Sequence, residues 1–478
     1  MTLIDWLIVG SGPSGCAAAA ALIERGERPV VVDGGQASTP TGSLDSEHSK
    51  EEPGRKSWFG SEKAYAQISP PQLLYARAVL ARASYGVGGF SRVWGATAQL
   101  QDWSDWPADC RPSPQDEERL WGLLPRAVTS WSDEQSPVGN SIPGSPASRR
   151  VMQRLHNSRV ARRWIIEPSA VAIETRPNSS CHCVPCGKCL TGCPRDAIWY
   201  SGSVIESWAA QELLDYRPGV IVERLTEDTG VVRVAIRDPR GVEMTLQARH
   251  VLVAAGALAS AGIAIASGYR QALFVRDTAT AFGGIITAYG ASSNDRLAHG
   301  LSQWWISDSK RRFLAQVYAP SPENSARLAA RIPKFLHHLE LLKSMAAHIH
   351  PVVAYLNETE SGGLVVEKDG EKIMVRVENG DASRSMKRWL RALSRTLTRQ
   401  GLLMPVGTFE ITPPGTGYHS GASLPHGVET DSLGRLAGSR RVHFVDSSVV
   451  PKISVGSITP TVMINAMRIA RQASEAGE

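Results

Sequence analysis

A chain of 478 residues, 42% apolar and 21% charged, has the composition of a globular protein of two or three domains with a well-buried core, which excludes disordered and fibrous classes. Its formal net charge of +6 comes without a long single-sign run, so no nucleic-acid partner is expected. No apolar run reaches the roughly 18 residues of a membrane-spanning helix.

Residues 3–35 read LIDWLIVGSGPSGCAAAAALIERGERPVVVDGG. Apolar residues 6–9 predict a short buried strand, followed by Gly10-Ser11-Gly12-Pro13-Ser14-Gly15, an alanine-rich helix, Gly26, a second strand and Asp33. Gly10 permits the tight turn, Gly12 lets backbone approach a pyrophosphate, and Gly15 lets the helix pack on the strand. The helix N-terminus offers free N–H groups to phosphate, and Asp33 suits a ribose. This constellation predicts a dinucleotide site without deciding between NAD and FAD. No basic n-region or cleavage site precedes the glycine turn, so a cytoplasmic protein is expected, with peripheral membrane association left open.

The polar stretch 36–56 and the stretch 133–148 read as loops. Between them lies YGVGGFSRVWGATAQLQDWSDW, residues 85–106, whose Gly88, Gly89, Ser91 and Gly95 form a second small-residue turn. The run CHCVPCGKCLTGCPRDA, residues 181–197, then holds five of the seven cysteines. Cytoplasmic thiols stay reduced, which counts against a disulfide staple. Cys183-x2-Cys186-x2-Cys189-x3-Cys193-Pro194 has the spacing of bacterial ferredoxins, in which one run supplies three ligands to one centre. A four-iron cluster would draw a further thiolate from the spare member of the run, Cys181 or Cys110. Zinc prefers two separated knuckles, and metal-free thiols packed as small hydrophobes stand as the alternative. Cys16 reads as structural.

GVIVERL and VVRVAIRD, separated at DTG, predict antiparallel strands that lead into ARHVLVAAGALASAGIAIASG, a buried strand, a turn at Ala255-Gly256 and a helix. From 271 to 430 the alternating segments RRFLAQVYAP, AAHIHPVVAYLN and GGLVVEKDGEKIMVRVEN, the last with a hairpin signal at Asp369-Gly370, predict an antiparallel sheet with helices on one side. A helix is expected over 323–346 and another over 385–399, whose arginine-rich face reads as solvated ahead of the alternative of a membrane-surface or acidic-partner site. His348 and His350 share a strand face and either line a cavity or face solvent. Trp304 and Trp305 serve as stacking walls for a ring or as core. PPGTGYHSGASLPHGVETDSLG offers His419 and His426, and VHFVDSSVVPKISVGSITPTVMINAMRIARQ, residues 442–472, is a strand ending near Asp446, a loop and a last helix. His443 reads as structural.

Four of these segments, in this order, resemble the glucose–methanol–choline oxidoreductases. They are the glycine turn, the 85–95 loop, the strand-turn-helix around Gly256, and the Asp446 loop with its helix. The resemblance implies an α/β architecture: a Rossmann-like FAD domain, with a parallel sheet and a β-meander, over 1–270 and 431–478, and an α+β substrate domain on an antiparallel sheet over 271–430. It implies FAD held by Gly10, Gly12, Gly15, Asp33, Gly88, Gly89, Ser91, Gly95, Ala255, Gly256 and Asp446. It further implies oxidation of a CH–OH group of a sugar-like or other alcohol, with His419 as base. The family's second catalytic position, Asn or His, falls on Ser457, a departure, with Thr459 close by in register. Cys183, Cys189, Cys193 and Pro194 also resemble the Cys-x5-Cys-x3-Cys-Pro run by which FAD-dependent sugar dehydrogenases of this family hold a three-iron cluster; other members keep such a turn without one. Oxygen, a quinone or a carrier protein would take the electrons. The rival readings are a flavin-binding pseudo-enzyme, suggested by Ser457, and an electron-transfer subunit using the cluster.

Overall fold

In a computed structural model of the chain, residues 3–35, 73–75, 86–131, 140–190, 193–290, 298–320, 347–413 and 415–477 are described. The polar stretch 36–56 and the helix expected over 323–346 lie outside them.

The first sheet is built around Ile4–Val9, which pairs in parallel with Val30–Asp33 on one side and Glu243–Val253 on the other. Asp215–Pro218 extends the parallel side, and Val442–Phe444 joins beside the last residues of Glu243–Val253. The N-terminal half of that long strand pairs antiparallel with Val231–Arg237, which returns to Ile221–Asp228 through a turn at Gly230, φ +82°. One strand therefore serves both the parallel layer and the meander. Leu7, Ile8, Val31, Val32, Val251 and Leu252 are all buried, as a sheet covered on both faces requires. Helix Pro13–Glu24 begins with proline, whose missing N–H costs nothing in a first turn, and its alanines let it lie close against the C-terminal helix Thr459–Glu475.

A six-stranded antiparallel sheet runs in the order Glu410–Ile411, Thr280–Ile286, Ile349–Leu356, Phe313–Tyr318, Ser302–Asp308, Trp164–Pro168. Its edge strand thus comes from well before residue 271. One face is covered by helices Pro146–His156 and Ala382–Thr398, whose Val151, Met152, Leu155, Met386, Leu390, Leu393 and Leu397 form a core with Trp304, Ala315, Val352 and Ala354. A five-stranded sheet holds the hairpin Gly362–Asp369 and Lys372–Asn379, turning at Gly370, with Ala272–Asp277 beside it. The loop expected over 133–148 is corrected in its described part. Residues Ser141–Pro143 form a strand, and Ser145 caps a helix that opens at Pro146, its Oγ accepting the N–H of Ser148 at 3.1 Å.

Candidate functional site

Three backbone turns meet at the C-terminal ends of the parallel strands. Gly10 has φ +107°, and a Cβ there would stand 2.4 Å from the Ala254 carbonyl oxygen; one on Gly15 would stand 1.9 Å from the carbonyl oxygen of Gly10. Neither position admits a side chain. Gly12 instead faces open space, with nothing within 4 Å of an added Cβ. The 88–91 turn lies against it, since a Cβ on Gly89 would be 3.5 Å from the Gly12 Cα. Packed glycines on the protein side and an open glycine between them are what a backbone cradle for a pyrophosphate needs.

Side chains lock these turns together. Ser11 Oγ accepts the Gly88 N–H at 2.9 Å and donates to Asp33 at 2.6 Å, while the Ser11 N–H also reaches Asp33 at 2.6 Å. Gly35 N–H donates to the other Asp33 oxygen at 2.6 Å. Burial pushes the Asp33 carboxyl above its ordinary range against the pull of those bonds. Ser91 Oγ donates to the Gly88 carbonyl at 2.6 Å and shares a 2.9 Å bond with Ser201, whose hydroxyl lies 3.0 Å from the Ser11 carbonyl. Asp446 reaches the Ala255-Gly256 turn from the far end of the chain: it accepts the Gly256 N–H at 2.8 Å, Ser260 Oγ at 2.5 Å and the Ser448 N–H at 2.9 Å. Ser11 carries no sequence signal beyond lying in the glycine turn, and Ser201, the first residue of helix Ser201–Ala210, carries none.

His419 sits just before the short strand Ser420–Gly421, where its carbonyl accepts the Thr278 N–H at 3.1 Å. Its ring lies over Tyr355, centroids 5.1 Å apart at 27°, and its Nδ1 is buried with no hydrogen-bond partner among the described residues. Burial lowers its pKa to about 4, so the imidazole is neutral at physiological pH. The loop before it is tied down by Asp277, which accepts the N–H groups of Gly415 at 2.8 Å and Gly417 at 3.2 Å. Burial, outweighing these bonds, raises the Asp277 pKa to about 6.

The Ser457 loop approaches the same sheet face. A Cβ on Gly456 would be 3.5 Å from Leu314, and Leu314 stands opposite Tyr355 across the strands, so His419 and the 455–457 loop cover neighbouring positions. Ser457 Oγ donates to the Thr97 carbonyl at 2.7 Å, which commits its proton to the backbone. Thr459 is the first residue of the last helix. Around them lie Trp305, Leu314, Tyr318, Val353, Tyr355 and Val455, with Gln316 and Tyr318 hydrogen-bonded to each other at 3.3 Å. Gly95 borders this face, 3.3 Å from the Tyr318 hydroxyl when given a Cβ.

Other candidates fall elsewhere. Trp304 points to the opposite face, into the helix-covered core, so only Trp305 stands on the His419 side. His350 also turns toward the helices and meets Ser148 Oγ at 3.4 Å, while His348 bonds the Thr287 carbonyl at 3.1 Å. His426 is occupied by the Asp431 carbonyl at 2.8 Å and Asn465 at 3.2 Å.

The cysteines of the 181–197 run are free thiols. Burial raises Cys183 to about 11 and Cys189 to about 12, and the proximity of Cys186 and Cys193 adds to both. Cys189 Sγ accepts the Gly300 N–H at 3.2 Å and Cys193 Sγ the Ala197 N–H at 3.3 Å. Among the described residues no three His, Cys, Asp or Glu side chains form a metal-holding group. The iron–sulfur cluster expected on Cys183, Cys186, Cys189 and Cys193 therefore finds no support. Cys110 packs apart from the run, with Trp106, Ala422 and Val462.

The molecule is a mixed α/β protein in which a Rossmann-like sheet with a β-meander stands beside a six-stranded antiparallel sheet. Pyridoxine 4-oxidase from Mesorbium loti is a solved structure of similar fold, with a TM-score of 0.62 over 99% of this chain and 99% of its own at 15% sequence identity. At that identity the likeness is one of fold. No family model matches the sequence. No curated protein matches it.

Proposed function

We propose that the protein is an FAD-dependent oxidoreductase that oxidises the CH–OH group of a small alcohol. The observation that carries this reading is the meeting of the Gly10–Gly15, Gly88–Ser91 and Ala255-Gly256 turns, with Asp446 bound to the last, in one protein whose neutral His419 and Ser457 loop cover the same sheet face. In this assignment the open face of Gly12, with Gly88 and Gly89, admits the pyrophosphate, and Asp33 keeps acceptor capacity on Oδ1 for a ribose hydroxyl. Bound FAD supplies the hydride acceptor. His419, held neutral by burial, takes the hydroxyl proton; with Nδ1 enclosed, Nε2 is the atom left to receive it. Apolar Trp305, Leu314 and Val353 keep water from the reacting carbon, and Tyr355 fixes the imidazole plane. Thr459, the first residue of the last helix, whose hydroxyl makes no hydrogen bond among the described residues, is the auxiliary hydrogen-bonding group beside Ser457. Residues 1–270 and 431–478 would carry the flavin and 271–430 the substrate, with Trp164–Pro168 lent to the substrate sheet.

A flavin-binding protein without alcohol chemistry is the second reading, favoured by the engagement of the Ser457 hydroxyl with Thr97. Anaerobic flavin bleaching by a panel of alcohols, including sugars and pyridoxine, separates the two. Bleaching by any member supports the enzyme. Tight FAD uptake with no bleaching supports the second reading, and a colourless protein that refuses FAD defeats both.

A further inference from the structure

Positive charge is concentrated on one face of this protein. Residues 146–163 contain six arginines and no acid; residues 381–401 contain five arginines, one lysine and one aspartate. Together they carry eleven net positive charges, against +6 for the whole chain, so the remainder is net negative by five. The two segments are more than two hundred residues apart, and folding places both over the same side of the six-stranded sheet. Their apolar residues share one core, Trp164 meets Trp389 at 6.3 Å, and Arg154 stands 3.4 Å from a Cβ built on Gly401.

Helix Ala382–Thr398 orients the charge. Its buried stripe is Met386, Leu390, Leu393 and Leu397. Arg384, Arg388, Arg391 and Arg395 each precede a buried residue by two positions, about 200° round the axis, and point directly away from the core. Asp381 neutralises Arg384 at 2.9 Å and Glu360 neutralises Arg388 at 2.7 Å. Arg150, Arg154, Arg162, Arg163, Lys387, Arg391, Arg395 and Arg399 are exposed and have no acidic partner among the described residues. Such a concentration repels itself and is stabilised by a polyanion.

We infer that this face docks the protein on an anionic phospholipid bilayer. A straight arginine stripe beside a second basic helix presents a broad surface on which guanidinium groups pair with phosphates two N–H groups at a time. Leu403, just beyond the helix, is 52% exposed and can enter the headgroup layer. An acidic electron carrier fits less well, because this face lies behind the sheet from His419, with a helix layer between. Nucleic acid also fits less well, since the aromatic rings here are committed inward: Trp389 is stacked on Phe313 at 5.9 Å and covered by Arg312. No described helix is long and apolar enough to cross a membrane, so the association would be peripheral. The inference does not depend on the proposed chemistry.

The test is cosedimentation of the full chain with vesicles of phosphatidylcholine alone or mixed with phosphatidylglycerol. The expected result is binding to the anionic vesicles only, reversed at roughly 0.5 M salt. Arg150→Gln, Arg154→Gln, Arg391→Gln and Arg395→Gln together should weaken it by at least about tenfold. A control of equal net charge, Arg224→Gln, Arg233→Gln, Arg240→Gln and Arg249→Gln, should bind as the parent does, and thermal melts should show both variants folded. Absence of anionic-vesicle binding, equal loss in the control, or preferential capture by duplex DNA or polyglutamate would each overturn the inference.

Discussion

Asp277→Asn isolates the cost of a buried carboxylate that holds the His419 loop. Asp277 is enclosed, and its Oδ2 accepts two N–H groups while Oδ1 is buried with no partner among the described residues. Burial raises its pKa from 3.8 to about 6. The unfolded chain therefore loses this proton near pH 4 while the native protein keeps it to about pH 6. Over that window the native state binds more protons, so the group's contribution to stability falls as pH rises and levels off above 6. The displacement corresponds to a cost of about 3 kcal/mol at neutral pH. Asparagine keeps an oxygen to accept both N–H groups and does not titrate. Its amide, placed where Oδ1 stands, costs about 1–3 kcal/mol for want of a partner, but that penalty is independent of pH. Urea unfolding of parent and variant between pH 4 and 8 should show the variant gaining about 2.5 kcal/mol on the parent across the range, part of the full cost being already present at pH 4. A difference constant with pH would refute the reasoning, because every other titrating group cancels in the comparison.

His419→Ala should retain flavin and lose substrate-driven bleaching. In the parent, the acid limb of that bleaching should fall near pH 4 rather than 6.5, since the imidazole must be neutral to act and is neutral above its lowered pKa; a limb near 6.5 would show that the ring is solvated. Gly15→Ala places a methyl 1.9 Å from the Gly10 carbonyl oxygen, so the purified protein should be colourless and melt earlier than the parent. Ser457→Ala removes the bond to Thr97 and should cost about 1 kcal/mol in urea unfolding with little change in bleaching rate. A large rate loss at unchanged stability would instead put its hydroxyl on the substrate.

The strand, glycine turn and alanine helix of residues 4–24 were legible because a backbone that admits no Cβ at Gly10 and Gly15 writes its requirement directly into residue type. The meander and the hairpin at Gly370 were legible for a related reason, as alternation and turn glycines are local. What escaped depends on distant partners. Ser11 joins Asp33 to Gly88, and nothing near it in the chain announces that role. Trp304 and Trp305 read alike as stacking walls or core, and only the placement of their strand separates them, Trp305 toward His419 and Trp304 into the helix-covered core. Trp164–Pro168 looked no different from any short apolar segment, and only pairing with Ser302–Asp308 makes it a sheet edge. The arginine stripe was readable as a solvated helix face, whereas its convergence with residues 146–163 was not.

The hold of Asp446 on Gly256, together with the packing of the first helix against the last, bears on how this protein is made. During synthesis the Gly10 turn emerges early, yet one of its walls is braced by residues more than four hundred positions later. A nascent chain halted short of that aspartate leaves the ribosome with an incomplete pocket, and contacts of such long range assemble slowly. On the proposed reading, uptake of the nucleotide would follow completion of the chain, and fragments released by premature termination would be empty and exposed to proteolysis.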